Sequence, residues 1–129
     1  MNAVLLDTHA WVWSLISDER ISTAASTAIA EADSVMVSPI SFFEIAQKVR
    51  IGKWPEMEPY AVALPALLEE QGGRVATFTP DIALRSGLML WEHRDPFDRI
   101  LAATAIQGAI PIVSIDEVFD TLPGIARIW

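Results

Sequence analysis

A three-layer α/β/α fold around a central, mainly parallel sheet of four or five strands is what this sequence predicts, on two observations. Short apolar runs alternate along the chain with longer segments of helical period. That rhythm belongs to strand–helix–strand crossovers, which are right-handed and give parallel strands. The runs at 3–6, 34–38 and 111–114 are also apolar through their middles rather than alternating, as strands covered by helices on both faces must be. A length of 129 residues falls within the roughly 100–150 of a typical domain. One domain over 1–129 is therefore expected, with a core that needs no staple.

The elements follow in order. Residues 3–6 are long enough for a buried strand and stop at Asp7-Thr8; 11–16 then reads as a short helix. Residues 22–32 are Ala-rich, with Ile21, Ala25, Ala28, Ile29 and Ala32 recurring at helical spacing. Residues 34–38 form a second strand, closed by Pro39. A helix over 41–51 ends at Gly52, a common residue just past a helix end. Residues 59–71 read as helical, with Pro65 bending or breaking them. Gly72-Gly73 turns the chain into a third strand, 74–78, followed by a helix over 80–90 that opens on Pro-Asp. Residues 91–94 are loop. Residues 95–107 are the next helix, closed by Gly108; 111–114 is a fourth strand, and 125–129 adds a fifth at an edge.

Composition narrows the function. With 52% hydrophobic and 20% charged residues, the chain cannot belong to the disordered class. Cysteine is absent, which excludes a disulfide framework, a thiolate nucleophile and Cys-ligated zinc, and fits a reducing cytoplasm. Nine basic residues against 17 acidic ones give a net charge of −8. Bulk electrostatic binding of a polyanion is thereby excluded, so any nucleic acid must be handled at a local site. His9 and His93 are too few for a His-rich metal centre. No apolar run approaches the ~18–20 residues of a membrane span. The first residues lack the basic stretch of a signal peptide. A soluble, cytoplasmic protein is the expectation.

In open parallel sheets, ligands bind beyond the carboxyl ends of the strands. Four acids fall there: Asp7 directly after the first strand, Glu44 in the first turns of the helix after the second, Asp98 in the first turn of the helix feeding the fourth, and Asp116 just after the fourth. Each has a structural explanation. Ser41-Phe42-Phe43-Glu44 matches a capping box. Asp95-Pro96-Phe97-Asp98 reads as an N-cap, a first-position proline and a dipole-favoured acid. Asp7 and Asp116 would cap the helices that follow them. As a set they say more. Converging carboxylates with no lysine nearby repel one another, and a cation relieves that repulsion. Oxygen-only ligands point to Mg²⁺ or Mn²⁺ rather than zinc, and hence to metal-dependent phosphodiester hydrolysis.

The same residues carry a resemblance. Leu5-Leu6-Asp7-Thr8-His9, Ser38-Pro39-Ile40-Ser41-x-x-Glu44-Ile45, His93-Arg94-Asp95-Pro96-Phe97-Asp98-Arg99 and Ser114-Ile115-Asp116-x-x-Phe119 resemble the successive motifs of PIN domains. They are most similar to the VapC-type ribonuclease toxins of bacterial toxin–antitoxin pairs. The order matches, and the match runs from the first strand to Pro123-Gly124. The resemblance implies a Mg²⁺- or Mn²⁺-dependent endoribonuclease with Asp7, Glu44, Asp98 and Asp116 as its acidic quartet. Asp7 and Asp98 would be the core metal ligands, with Glu44 and Asp116 ligating directly or through water. Thr8 and Ser114 match hydroxyl positions that orient the acids or the phosphate, Ser114 standing where the family more often has threonine. Asp95 would be a structural cap. Arg99 would either hold the phosphate or pair with a carboxylate. An RNA substrate, a cognate antitoxin and a homodimer are the implied partners.

Other residues weigh less. Neither His9 nor His93 has an oriented partner visible in the sequence, so packing or hydrogen bonding is favoured over a general-acid role. Trp11 and Trp13 suit a core or a subunit interface, while Trp54, in a loop, is the expected exposed ring. Phe42, Phe43, Ile45, Ala46 and Val49 spread around more than one helix face, which fits a helix buried on both sides or a groove for an antitoxin peptide. Lys48, Arg50 and Lys53 form a compact basic group, either an RNA contact or a solvated face. A phospho-acceptor domain would need a late lysine, and none follows Lys53; a dinucleotide enzyme would need a Gly-rich turn where Asp7-Thr8-His9 stands. The remaining alternative is a PIN-like binding or assembly module without turnover.

Overall fold

The computed structural model of the chain describes residues 2–129. Five strands form one parallel sheet in the order β3-β2-β1-β4-β5: β1 is Ala3–Leu6, β2 Ser34–Val37, β3 Arg74–Val75, β4 Ile112–Val113 and β5 Arg127–Ile128. The helices are α1 (Thr8–Leu15), α2 (Thr23–Glu31), α3 (Pro39–Arg50), α4 (Leu64–Glu70), α5 (Pro80–Leu88) and α6 (Pro96–Gly108). The expected α/β class and the edge position of the last strand are both observed.

Apolar continuity in the strands corresponds to burial on two faces. In β1, Val4 and Leu6 join the cluster of Ala10, Trp11, Val12 and Trp13 from α1, Ile45 from α3, and Leu64 and Leu68 from α4. Leu5 points the other way, into Leu101, Ala102 and Ala105 of α6, as the two-residue period of a strand requires. In β4, Ile112 and Val113 divide between the same two clusters. The register pairs Leu6 with Val37 on one side and with Val113 on the other. The carboxyl ends of the three central strands therefore finish level. Asp7, Ser38 and Ser114 stand side by side along that edge.

Two helices, α1 and α3, start earlier than their apolar periodicity suggests, because caps decide them. Asp7 accepts from Ala10 N at 2.8 Å, so α1 begins at Thr8 rather than Trp11. Ser38 accepts from Ile40 N at 3.1 Å, and Pro39, whose ring pre-sets the helical φ, opens α3 two residues before Ser41. The Ser41–Glu44 capping box is thus overturned: both residues lie inside the helix. Gly52, at φ +78° just past the Ile51 C-cap, takes the left-handed position glycine favours.

Three other boundaries shift. The segment expected as one helix over 59–71 contains a 3₁₀ turn at Ala61–Ala63 and then α4, with Pro65 in its first turn, where its missing N–H is harmless. The third strand keeps only Arg74–Val75 of its expected 74–78. Beyond Ala76 the chain peels away to place Thr79 as the N-cap of α5, since the residue before Pro80 is held extended. At the end of α6, Gly108 is still helical and Ala109 takes the left-handed C-cap. No helix among the described residues is long and apolar enough to cross a membrane.

Candidate active site

The level strand ends open onto a pocket of about 460 Å³ lined by Asp7, Thr8, Glu44, Asp98 and Asp116. All four expected acids reach it, each delivered by a different element. Asp7 leaves β1 and caps α1, Glu44 projects from α3, Asp98 from the first turn of α6, and Asp116 from the turn after β4. Capping and pocket lining coexist. Asp116 Oδ1 accepts from Val118 N at 2.9 Å, and Asp95 Oδ1 accepts from Asp98 N at 3.0 Å. Asp95 is the structural cap its motif suggests, and it also lines the pocket.

Two hydroxyls set the carboxylates. The Ser114 hydroxyl, fully buried, donates to Asp7 Oδ2 and accepts from Asp116 N at 3.0 Å. It ties the acid after β1 to the acid after β4. The Thr8 hydroxyl donates to Glu44 Oε1 at 2.6 Å and lies 2.9 Å from the Ser41 hydroxyl. Glu44, only 8% exposed, meets Lys48 Nζ at 2.8 Å through its other oxygen. Lys48 lies one helical turn on and lines the same pocket. The sequence reading of an acid cluster with no lysine nearby is corrected here. The signal was present: a Glu followed four residues later by Lys on one helix makes neighbours.

Burial and neighbouring carboxylates act on Asp7 and Asp98. Asp7, 6% exposed, is pushed up to about 6 by burial, against the pull of the Ser114 and Ala10 hydrogen bonds, with a further push from Asp98. Asp98 is also raised to about 6, again chiefly by burial, and further by Asp95 and Asp116, while the hydrogen bond from His93 opposes the rise. His93 Nε2 lies 2.7 Å from Asp98 Oδ2, and its ring packs on Trp91 at 5.0 Å. His93 therefore has the oriented partner that the sequence did not show.

Arg99 does neither of the things expected of it. Its Nε donates to Ser86 O at 2.8 Å, Nη1 to Trp91 O at 2.8 Å and His93 O at 2.9 Å, and Nη2 to Met89 O at 2.6 Å. All of these partners are backbone carbonyls. The Ser86 carbonyl that Arg99 binds is the one a longer helix would pair with Leu90 N; α5 stops at Leu88 instead of running to residue 90. Arg99 also fixes the loop carrying His93. Trp54 is likewise half-buried rather than an exposed ring, packed on the core and on His9. Trp11 and Trp13 are core residues.

The four acids offer only oxygen; the imidazoles beside them are His9, which lines the pocket, and His93, which is bonded to Asp98. Among the described residues, no three His, Asp or Glu side chains come close enough to enclose a cation alone. Mg²⁺ does not ask for that: it keeps several waters and is usually held by one or two carboxylates plus a substrate phosphate. A buried Asp7 and a half-buried Asp98, each raised by burial and by neighbouring carboxylates in a polar pocket, fit such an ion.

Comparison with known proteins bears on the family and the fold. A family model described as PIN domain matches residues 4–125. The chain is 37% identical over 123 residues to Ribonuclease VapC22 of Mycobacterium tuberculosis, covering 91% of this chain and 89% of that one. Three solved structures share the fold. VapC20 of M. tuberculosis, described as a sarcin-ricin loop cleaving toxin, superposes with a TM-score of 0.68 at 18% identity, covering 95% of this chain and 96% of that one. VapBC2 from Rickettsia felis, bound to a DNA fragment from its promoter, gives 0.65 at 16% identity, covering 97% and 96%. A toxin–antitoxin complex from Klebsiella pneumoniae gives 0.64 at 21% identity, covering 95% of each chain.

Proposed function

The chain belongs to the PIN domain family, and on that footing we propose that it is an endoribonuclease, hydrolysing RNA phosphodiester bonds with Mg²⁺ or Mn²⁺, and the toxin half of a toxin–antitoxin pair. The observation that carries the reading is the convergence of Asp7, Glu44, Asp98 and Asp116 on one pocket at the carboxyl edge of the sheet. The relative at 37% identity is a ribonuclease by name, which supports the same chemistry. The reading brings with it an RNA substrate, a cognate antitoxin, a homodimeric state and a cytoplasmic place of action.

When bound, the cation supplies a positive field at the phosphate and an acidified water for in-line attack. The chain's own part is to hold and aim. Asp7 and Asp98 are the ligands in this reading, because they are the carboxyls most in need of a neutralising charge. Ser114 and Ala10 N orient Asp7, and His93 orients Asp98. Glu44 is set by Thr8 and Lys48, and its carboxylate retains lone pairs for a water. Asp116, anchored by its own backbone to Ser114, closes the far side. Arg99 acts only through the loop it holds.

The test is cleavage of several RNA classes by purified, antitoxin-free protein with Mg²⁺, with Mn²⁺ and with EDTA, beside Asp98→Asn. Metal-dependent cutting that falls by more than about a hundredfold in the variant is expected. A folded protein that cuts none of them would instead be a binding or assembly module.

A further inference from the structure

One wall of the acid pocket is not acidic. His9, Trp13, Arg20 and Lys48 line it beside the carboxylates. The His9 ring centroid lies 5.1 Å from that of Trp54 at 32° and 5.7 Å from that of Trp13 at 58°, one contact near-stacked and the other closer to edge-on. Trp13 is buried and Trp54 half-buried, both packed into the core, whereas His9 is exposed. The platform is therefore rigid behind and open in front. A cation sits at each end: Lys48 Nζ lies 5.4 Å over the Trp54 ring, and the Arg20 guanidinium 4.8 Å over that of Trp13.

The two cations differ in what they can still do. Arg20 spends Nε and Nη2 on Asp18, at 3.0 and 2.7 Å. Lys48 uses one hydrogen bond on Glu44 Oε2, at 2.8 Å, and an ammonium has three donors. A chain with net charge −8 repels a polyanion at long range, so a nucleic-acid strand entering this pocket needs a local cation and an apolar surface for its bases. The wall supplies both within one side chain's reach of the acids.

We propose that this wall is the subsite for the nucleotide beside the scissile phosphate, with a base stacking on the exposed His9 ring and Lys48 contacting a backbone phosphate. The inference rests on the ribonuclease reading above and deepens it to the residues that grip the strand. His9 serves here as a ring and Lys48 as a point charge, and each predicts a separate signature.

The experiment measures binding of a short fluorescein-labelled single-stranded RNA by anisotropy in EDTA, across a salt series, for the wild type, His9→Ala, His9→Phe, Lys48→Gln and Lys48→Arg. Melting curves confirm that each variant folds. Removing the ring in His9→Ala is expected to weaken binding roughly five- to a hundredfold, and His9→Phe to restore it, as for loss and return of one base stack. Lys48→Gln is expected to lower the slope of log K against log salt by about 0.7, one single-strand phosphate contact, with Lys48→Arg keeping it. With metal present, His9→Ala should raise KM more than it lowers kcat. Unchanged binding in His9→Ala, failure of Phe to rescue, or an unchanged salt slope in Lys48→Gln would overturn the subsite while wild-type cleavage left the ribonuclease standing. A wild type that neither binds nor cuts any RNA would remove both.

Discussion

Asp7 caps α1 and accepts the Ser114 hydroxyl, yet burial still drives its carboxyl up to about 6. An unfolded aspartate titrates near 3.9. Between those values the folded state holds a proton that the unfolded state has released, so stability falls as pH rises through this window and levels off above it. The contribution is fully present only below the unfolded value. Asp7→Asn removes the ionisable group while keeping a side chain that caps well. In metal-free protein at pH 7.5 it is expected to raise the unfolding free energy by about 1–3 kcal/mol while abolishing cleavage. Urea titrations at pH 4.5 and 7.5 check this: the gain should shrink at the lower pH. A variant less stable than wild type at pH 7.5 would mean that the hydrogen bonds outweigh the burial.

At the scale of elements, caps and one arginine set the site. Ser38 and Pro39 start α3 early enough to carry Glu44 a full turn inside the helix, where Thr8 of α1 and Lys48 reach it. Arg99 binds the end of α5 and the 89–93 loop to α6 through four carbonyls. That network uses the planar fork of a guanidinium, which an ammonium cannot reproduce. Arg99→Lys is therefore expected to destabilise by about 2–4 kcal/mol. Hydrogen exchange should quicken first in residues 86–93, and cleavage should drop because His93 loses its seat beside Asp98. If Arg99→Lys is as stable as the wild type, the network contributes shape and little energy.

For the whole molecule, the strand order decides where charge collects. β1 lies between β2 and β4, so acids far apart in the chain meet at one edge of a strongly acidic protein. In the proposed function, the burial and repulsion that raise them would link metal binding to pH. A ligand that binds only the folded state stabilises it by mass action, and it competes with protons for carboxyls raised to about 6. Excess Mg²⁺ or Mn²⁺ is expected to raise Tm at pH 7.5, to do little at pH 5, and to do little at either pH in Asp98→Asn. Scanning calorimetry separates this from a general salt effect, for which matched ionic strength in NaCl is the control; an equal rise in NaCl would argue against a specific site.

The alternation of apolar runs with helical periods, and the placing of four acids at strand ends and helix starts, could be read from the sequence because both are local: a strand's burial pattern and a helix's start depend on residues within a few positions. Even the missed Glu44–Lys48 pair was local, one helical turn apart. What the tertiary structure alone decided were the partners of long reach. Ser114 holds Asp7 across 107 positions and Thr8 holds Glu44 across 36, contacts that exist only because β1 lies between β2 and β4. Arg99, whose motif suggested phosphate or carboxylate, went instead to backbone carbonyls, because packing α5 against α6 leaves those groups without helical or strand partners beside it. A buried acceptor must be satisfied by whatever donor the fold brings near, and that cannot be known until the elements have packed.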